Sequence, residues 1–439
     1  MAFIDGSALT VALPALRAAF DADLASVQWV LNAYVLALAS LTLIGGALAD
    51  VYGKARVLAI GCVLFGLASA ACALAPSAVW LIAARAVQGV AAAIVTPASL
   101  ALIGATYPRE ERNRAIGVWA AASALTTAGG PVLGGWLTDA FGWPMVFWIN
   151  PPLALVAVAM LLAFAPEDRR EQRRFDIVGA AILVGALGTL AWALSQVGAS
   201  EPQSTADTLL PSGLTIAVAV AFGCAGLAAY AFWERVTDHP MTPPRLDKNR
   251  VFVGLNIATL LIYAGISIMF FLLPFDLIDR RALPATDVGL AFLPFTLGVG
   301  LLSRVFGGLA DKVGSRPMLI AGPVSAALAY VWMALGQGQS LFFGVLGPMA
   351  LLGLSFAVFV APHTASVMSS VADADEGLAS GINNTASRIA QLVGVALAAG
   401  IGSVEFGYKF GLIAAAVASI AGALAVAATM PSTEQPRSA

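Results

Sequence analysis

The sequence predicts an all-α polytopic membrane protein made of two related halves. Apolar residues make up 59% of its 439 residues and charged residues 11%, whereas soluble domains average about 45–50% and about 25%. Apolar runs of about 20 residues, the length of helix that crosses a bilayer, recur along the whole chain. A short block at 46–53 returns in altered form at 307–314, which relates the two halves to each other.

The apolar runs divide into about fourteen segments. The repeated block follows the second and the tenth of them, as Gly46-Ala-Leu-Ala-Asp50-Val-Tyr-Gly53 and Gly307-Gly-Leu-Ala-Asp311-Lys-Val-Gly314. Two six-helix halves would place the copies six segments apart, but they are eight segments apart. The surplus predicts two inserted helices, at about 176–199 and 213–233.

We therefore expect an N-terminal six-helix bundle at 1–165, a linker with two extra transmembrane helices at 166–250, a C-terminal six-helix bundle at 251–430 and a cytoplasmic tail at 431–439. The first segment has only about 16 residues, or about 24 Å of helix, against a hydrocarbon core of about 30 Å. A free amino terminus close to Asp5 would be costly inside the membrane. We expect this first helix to be truncated, with the natural start upstream.

Positive charge predicts the orientation. Most of the 23 Lys and Arg residues lie in alternate loops, on the side that carries Lys54 and Arg56. Such residues accumulate in cytoplasmic loops. The distribution places both termini in the cytoplasm, in a multi-pass protein of the cell inner (plasma) membrane, surrounded by lipid.

The composition favours neither catalysis nor a cofactor. Cys62, Cys72 and Cys224 fall inside apolar runs and are typical of buried small side chains. His239 and His363 are far apart, without metal-ligand spacing. We expect no cofactor, no metal site, no enzymatic activity and no nucleic-acid partner.

Four stretches carry a resemblance to a known family. They are Asp5-Gly-Ser-Ala-Leu-Thr10-Val-Ala-Leu-Pro14, the loop from Gly46 to Arg56, Leu81-Ile-Ala-Ala-Arg85-Ala-Val-Gln88-Gly89, and Gly117 with Gly130-Pro131-Val-Leu-Gly134-Gly135. With these motifs, spread over nearly its whole length, the chain resembles the fourteen-helix drug:proton antiporter branch of the major facilitator superfamily. The resemblance implies a major facilitator fold and proton-coupled export of small amphiphilic compounds by alternating access. We expect a monomer.

The repeated block resembles the gate motif of that superfamily. Glycine permits close helix approach and tight turns, and an acidic side chain near a helix end can bond across the cytoplasmic side. The resemblance implies a latch that closes the cytoplasmic side; a plain tight turn with solvated charges is the alternative. The gate residues are Gly46, Asp50, Gly53, Lys54, Arg56, Gly307, Asp311 and Gly314.

The fifth segment resembles the motif associated with antiporters. Gly130 and Gly134, four residues apart, give a smooth face for close packing, and Pro131 removes a backbone bond. Gly135 completes the motif, but Thr126 stands where the family has its central glycine. Export rather than uptake follows from the resemblance alone, and ordinary helix packing is the alternative for these residues.

Proton coupling requires a membrane carboxylate that alternates between its charged and neutral forms as its surroundings change. Asp5 is the clear candidate, because the other acids lie in loops or at segment ends. Arg85 is costly in lipid, so we expect it to face the interior. We predict that Asp5 accepts the proton and that Arg85 tunes it. The alternatives are a helix-end aspartate and an arginine that only ties helices together.

A substrate cavity is expected between the two bundles near mid-membrane. With no second carboxylate clearly at that depth, an amphiphilic or apolar substrate is favoured over multivalent cations. Two other functions stay open: transport of one specific metabolite, and a sensor or scaffold that transports nothing. The candidate lining residues are Thr10, Asn32, Tyr34, Gln88, Asn256, Tyr263, Asn384 and Arg388.

Overall fold

The structure is a computed structural model in which every regular element of the described residues is helical. Ten helical stretches in this part of the chain are long and apolar enough to cross a membrane. The expected all-helical membrane architecture is therefore confirmed. The described residues are 1–107, 109–165, 176–195, 212–237, 246–371, 376–402 and 407–431.

The chain divides into two compact units. The first comprises Met1–Gln196, Ser200–Met241 and Ala282–Gly289, and the second comprises Val197–Ala199, Thr242–Arg281 and Leu290–Ala439. The two helices within the expected linker at 166–250 belong to the first unit.

Nine helices lie in the described part of the chain up to residue 237. Some of them begin at a side chain that accepts from a free amide of the first turn: the Asp23 carboxylate accepts from the Ser26 amide at 2.8 Å, and the Ser77 hydroxyl from the Trp80 amide at 3.3 Å. These helices are α1 (Ala2–Phe20), α2 (Leu24–Tyr52), α3 (Lys54–Ala73), α4 (Ala78–Thr106), α5 (Arg109–Phe141), α6 (Met145–Trp148), α7 (Asn150–Phe164), α8 (Ile177–Ser195) and α9 (Ser212–Val236).

The later helices follow a short 3₁₀ turn at Leu246–Lys248. The Asn249 side chain caps the next helix by accepting from the amides of Val251 and Phe252, both at 3.1 Å. π-helical turns lie at Asp276–Arg280 and Phe342–Leu346. The helices are α10 (Arg250–Phe275), α11 (Ala285–Ala291), α12 (Leu293–Val313), α13 (Ser315–Leu335), α14 (Gly347–Ser369), α15 (Glu376–Gly402) and α16 (Gly407–Thr429).

The repeated block adopts the same backbone geometry in both units. Gly53 (φ 101°) is the single residue between α2 and α3, and Gly314 (φ 85°) is the single residue between α12 and α13. Only glycine adopts such positive φ angles without strain. The Gly53 amide donates to Ala49 O at 3.1 Å and the Gly314 amide to Ala310 O at 2.9 Å.

The repeat extends to the helix crossings. A Cβ on Gly46 would lie 3.5 Å from Pro97 Cβ on α4, and a Cβ on Gly307 would lie 3.5 Å from Ala361 Cβ on α14. Each unit thus contains one copy of the same local frame: a helix, a glycine turn and a second helix, with a third helix packed against the first.

The glycines of α5 permit close packing on two sides. A Cβ on Gly130 would collide with Ser7 of α1, and one on Gly134 with the Ala8 backbone. Gly135 lies in the same way against the Ala285 carbonyl at the start of α11. These motif glycines therefore allow close helix packing, as expected. Their association with export remains a prediction.

We predict that Gly134→Ala lowers the thermal midpoint of the detergent-purified protein. The added methyl group meets backbone atoms of Ala8, which cannot rotate away, and overpacking of this kind costs about 1–3 kcal/mol. The matched control is Gly129→Ala, because a Cβ there has nothing within 4 Å and alanine is the better helix former. Equal midpoints for both variants would contradict the close α1–α5 packing.

Candidate functional site

A buried ion pair joins α1 to α4 within the first unit. Asp5, in the first turn of α1, and Arg85, in the middle of α4, are both 0% exposed. Arg85 Nη1 lies 2.5 Å from Asp5 Oδ2. The two residues that the sequence singled out for proton coupling are therefore direct partners across 80 positions of the chain.

Two carboxamides complete the surroundings of the carboxylate. Gln88 Nε2 donates to Asp5 Oδ1 at 2.9 Å, and Asn150 Nδ2 donates to the same oxygen at 2.9 Å. Gln88 lies one turn after Arg85 on α4, and Asn150 is the first residue of α7. Three donors from two helices therefore hold one buried charge, as a charge removed from water requires.

Arg85 has further acceptors of its own. Its Nε donates to the Val30 carbonyl at 3.0 Å, and Nη1 also donates to Gln88 Oε1 at 2.7 Å. The guanidinium carbon lies 4.2 Å from the centre of the Tyr34 ring, close enough for a cation–π interaction. These contacts place the charge against α2 as well as α1.

A neutral chain of hydrogen bonds extends the cluster to α3. Asn150 Nδ2 donates to Ser69 Oγ at 3.0 Å, and Ser69 Oγ donates to the Phe147 carbonyl at 2.8 Å. Asn150 and Ser69 were not among the predicted site residues. Asn150 could have been found, because it is a polar residue in an apolar run just before two prolines. Ser69 is a lone serine, and nothing in the sequence distinguishes it.

The chemistry available to this cluster is proton binding. Among its side chains, the Asp5 carboxylate is the group that can exchange a proton, whereas arginine stays charged. The described residues contain no group of three or more His, Cys, Asp or Glu side chains placed to hold a metal ion.

The structure describes the backbone of the gate motif but only some of its side chains. Lys54 is half-buried and Arg56 exposed at the start of α3. The side chains of Asp50 and Asp311 lie outside the described residues, so their latch role stays a prediction.

The remaining candidate residues of the first unit have different surroundings. Thr10 donates to the Ser7 carbonyl at 2.7 Å, and the Tyr34 hydroxyl donates to the Ala2 carbonyl at 3.2 Å. Asn32 is fully buried, and neither its nitrogen nor its oxygen has a hydrogen-bond partner among the described residues.

A second polar cluster lies in the second unit. Asn383 Nδ2 donates to Thr259 Oγ1 at 2.7 Å and to Asn256 Oδ1 at 3.2 Å. His363 Nε2 lies 3.1 Å from both Thr259 Oγ1 and the Leu255 carbonyl. Since a carbonyl only accepts, that nitrogen carries the hydrogen. Sequence reasoning named Asn256 but missed Asn383, Thr259 and His363.

The other candidates of this unit lie apart from that cluster's hydrogen bonds. Asn384 is exposed, one residue beyond the bonded Asn383. Tyr263 packs edge-on against Phe356, with 6.2 Å between ring centres. Arg388 Nη1 donates to Gln391 Oε1 at 3.1 Å.

Comparison with known proteins finds resistance proteins and a transporter among the relatives of this chain. The chain is 32% identical over 410 residues to the multidrug resistance protein Stp of Mycobacterium tuberculosis, covering 92% of this chain and 73% of that protein. It is 32% identical over 400 residues to the lincomycin resistance protein of Streptomyces lincolnensis, covering 91% and 81%. It is 28% identical over 379 residues to the riboflavin transporter RibZ of Clostridioides difficile, covering 86% and 80%.

Solved structures share the fold. The xylose transporter XylE from E. coli, in a partially occluded inward-open conformation, gives a TM-score of 0.64 at 14% identity, over 98% of this chain and 96% of that one. The peptide transporter POT in complex with sulfate gives 0.68 at 13% identity, over 97% and 92%. The family model described as Major Facilitator Superfamily matches residues 1–246 and 255–439. With nearly the whole chain matched, this protein belongs to the Major Facilitator Superfamily and is a multi-pass membrane transporter, not an enzyme.

Proposed function

We propose that this transporter exports small amphiphilic compounds, drugs or metabolites, in exchange for protons by alternating access. The names of the relatives Stp and the lincomycin resistance protein support drugs as cargo. The observation that carries proton coupling is the fully buried Asp5–Arg85 pair. A buried carboxylate whose partners lie on several helices links its charge to the arrangement of those helices.

Fourteen transmembrane helices are part of the proposal. Besides the ten apolar stretches, α1, α5, α8 and α15 have 19, 33, 19 and 27 residues. Each reaches the length that spans a bilayer, about 17–25 residues. We propose that these four also cross the membrane and, with the ten, make up fourteen spans. Both termini then lie in the cytoplasm, and the protein acts as a monomer in the plasma membrane.

The riboflavin transporter RibZ supports a second candidate. A chain with relatives of that kind can instead serve one metabolite. A screen in which wild-type protein moves one compound out of a broad panel favours this reading, and movement of several unrelated compounds favours the first.

We predict that α8 and α9 each cross the membrane. Alkaline phosphatase fused within 196–211 should be active, because α8 then ends outside the cytoplasm. The same enzyme fused within 238–245 should be inactive, because α9 returns the chain to the cytoplasm. Equal phosphatase activity at both positions would contradict the two inserted spans.

We predict that Asp5→Asn abolishes proton-driven transport. The amide keeps the size of the side chain but cannot cycle a proton. In proteoliposomes with an imposed pH gradient, the initial rates for lincomycin and tetraphenylphosphonium should each fall at least about tenfold.

The matched control for that experiment is Asp21→Asn. Asp21 is exposed at the end of the same helix, with a φ angle of 46° that asparagine also adopts readily. Its transport rate should match wild type. Normal gradient-driven transport in the Asp5 variant would refute coupling at this carboxylate.

We also predict a stability signature for the ion pair. Arg85→Met leaves the Asp5 charge buried without its partner, which costs about 3–5 kcal/mol and lowers the thermal midpoint. Adding Asp5→Asn removes that charge and should recover most of the loss. A double variant no more stable than Arg85→Met alone would show that the arginine acts by packing, not by pairing.

A further inference from the structure

Helix α2 carries two buried carboxamides that the described residues leave without hydrogen bonds. Gln28 and Asn32 are each 0% exposed, and neither the nitrogen nor the oxygen of either side chain has a partner in that part of the chain. One turn apart, the two side chains share a face of the helix. Buried polar groups are nearly always bonded in folded proteins, so this pair calls for an explanation.

The pair is separate from the Asp5 cluster. Tyr34, whose ring lies against Arg85, is two residues after Asn32 and therefore about 200° around the helix. Asn32 thus lies almost opposite Tyr34 on α2, and Gln28, six residues before Tyr34, lies about 120° from it. Leu36, one turn beyond Asn32, lies against Gly188 of α8. This face of α2 is distinct from the one that contacts the ion pair.

The chemistry of the pair is specific. Each carboxamide supplies two N–H donors and one oxygen acceptor and carries no charge. Together they match hydroxyl and amide groups, which need both donors and acceptors. A lipophilic cation without such groups gains nothing from them.

We propose that Gln28 and Asn32 form a binding position for neutral hydrogen-bonding groups of the transported compound. The inference rests on the proposed function, because alternating access supplies the second state in which this face of α2 opens and the amides meet the compound. In the state described here both side chains are buried, and their four polar atoms have no hydrogen-bond partner among the described residues. The unpaired atoms favour the state in which the compound binds.

The test replaces both amides by leucine, which is similar in size and apolar. Gln28→Leu/Asn32→Leu protein is reconstituted in proteoliposomes with an imposed pH gradient, and two probes are compared. Lincomycin carries hydroxyl groups and an amide, whereas tetraphenylphosphonium carries neither donor nor acceptor. The rate for lincomycin should fall at least about fivefold, as expected for the loss of neutral hydrogen bonds, and the rate for tetraphenylphosphonium should stay within about twofold of wild type.

Each other result overturns the inference in a distinguishable way. Equal rates for both probes in variant and wild type mean that water alone occupies the position, and equal losses for both mean that the amides are structural. Wild-type protein that moves tetraphenylphosphonium but not lincomycin contradicts a site for neutral polar groups. Wild-type protein that moves neither probe refutes the proposed function itself.

Thermal unfolding gives a readout that does not depend on transport. Because the two amides make no bonds within the described residues and an unpaired buried polar group destabilises the folded protein, the double variant should unfold at or above the wild-type midpoint. The matched control is Asn383→Leu, which loses bonds to Thr259 and Asn256 and should unfold at lower temperature. A midpoint for the double variant as low as that of the control would overturn the assignment.

Discussion

The buried charge of Asp5 constrains how the helices of the first unit pack. Moving an ion from water into a protein interior costs several kcal/mol even after relaxation. Hydrogen bonds and an opposite charge around the carboxylate must offset that cost. Arg85 and Gln88 come from α4 and Asn150 from the start of α7. Because each of these donors has a fixed reach, the positions of α1, α4 and α7 are coupled through one side chain.

The two units share a backbone frame but not this chemistry. Gly89 packs on the Tyr34 carbonyl in the first unit, and Gly353 packs on the Phe295 carbonyl in the second. The same register places Met349 where the first unit has Arg85, and this methionine is also fully buried. A shared helix frame therefore does not require an ion pair at this position of the frame.

Much of this could be predicted from the sequence, for physical reasons that also set the limit. Charge is so costly in a membrane that Asp5 and Arg85 stood out in an apolar chain, and the structure places the two side chains in direct contact. Neutral polar side chains carry no such signal, so Asn150 was missed. Asn384 was named as a lining residue, whereas its neighbour Asn383 makes the hydrogen bonds. One residue turns a helix by about 100°, and sequence spacing alone does not show which side of the helix faces inward.

Among the described residues, Arg85 has more partners besides Asp5 than Asp5 has besides Arg85. This difference affects which of the two can change its charge. Arg85 keeps the Val30 carbonyl, Gln88 Oε1 and the Tyr34 ring if Asp5 becomes neutral. Asp5, in contrast, would lose the charged hydrogen-bond partner Arg85 if that side chain moved away, and its two amide donors are neutral. A neutral Asp5 therefore leaves a satisfied arginine, whereas departure of Arg85 leaves a buried carboxylate held by neutral donors alone. In the proposed cycle, separation of α4 from α1 and protonation of Asp5 thus promote each other.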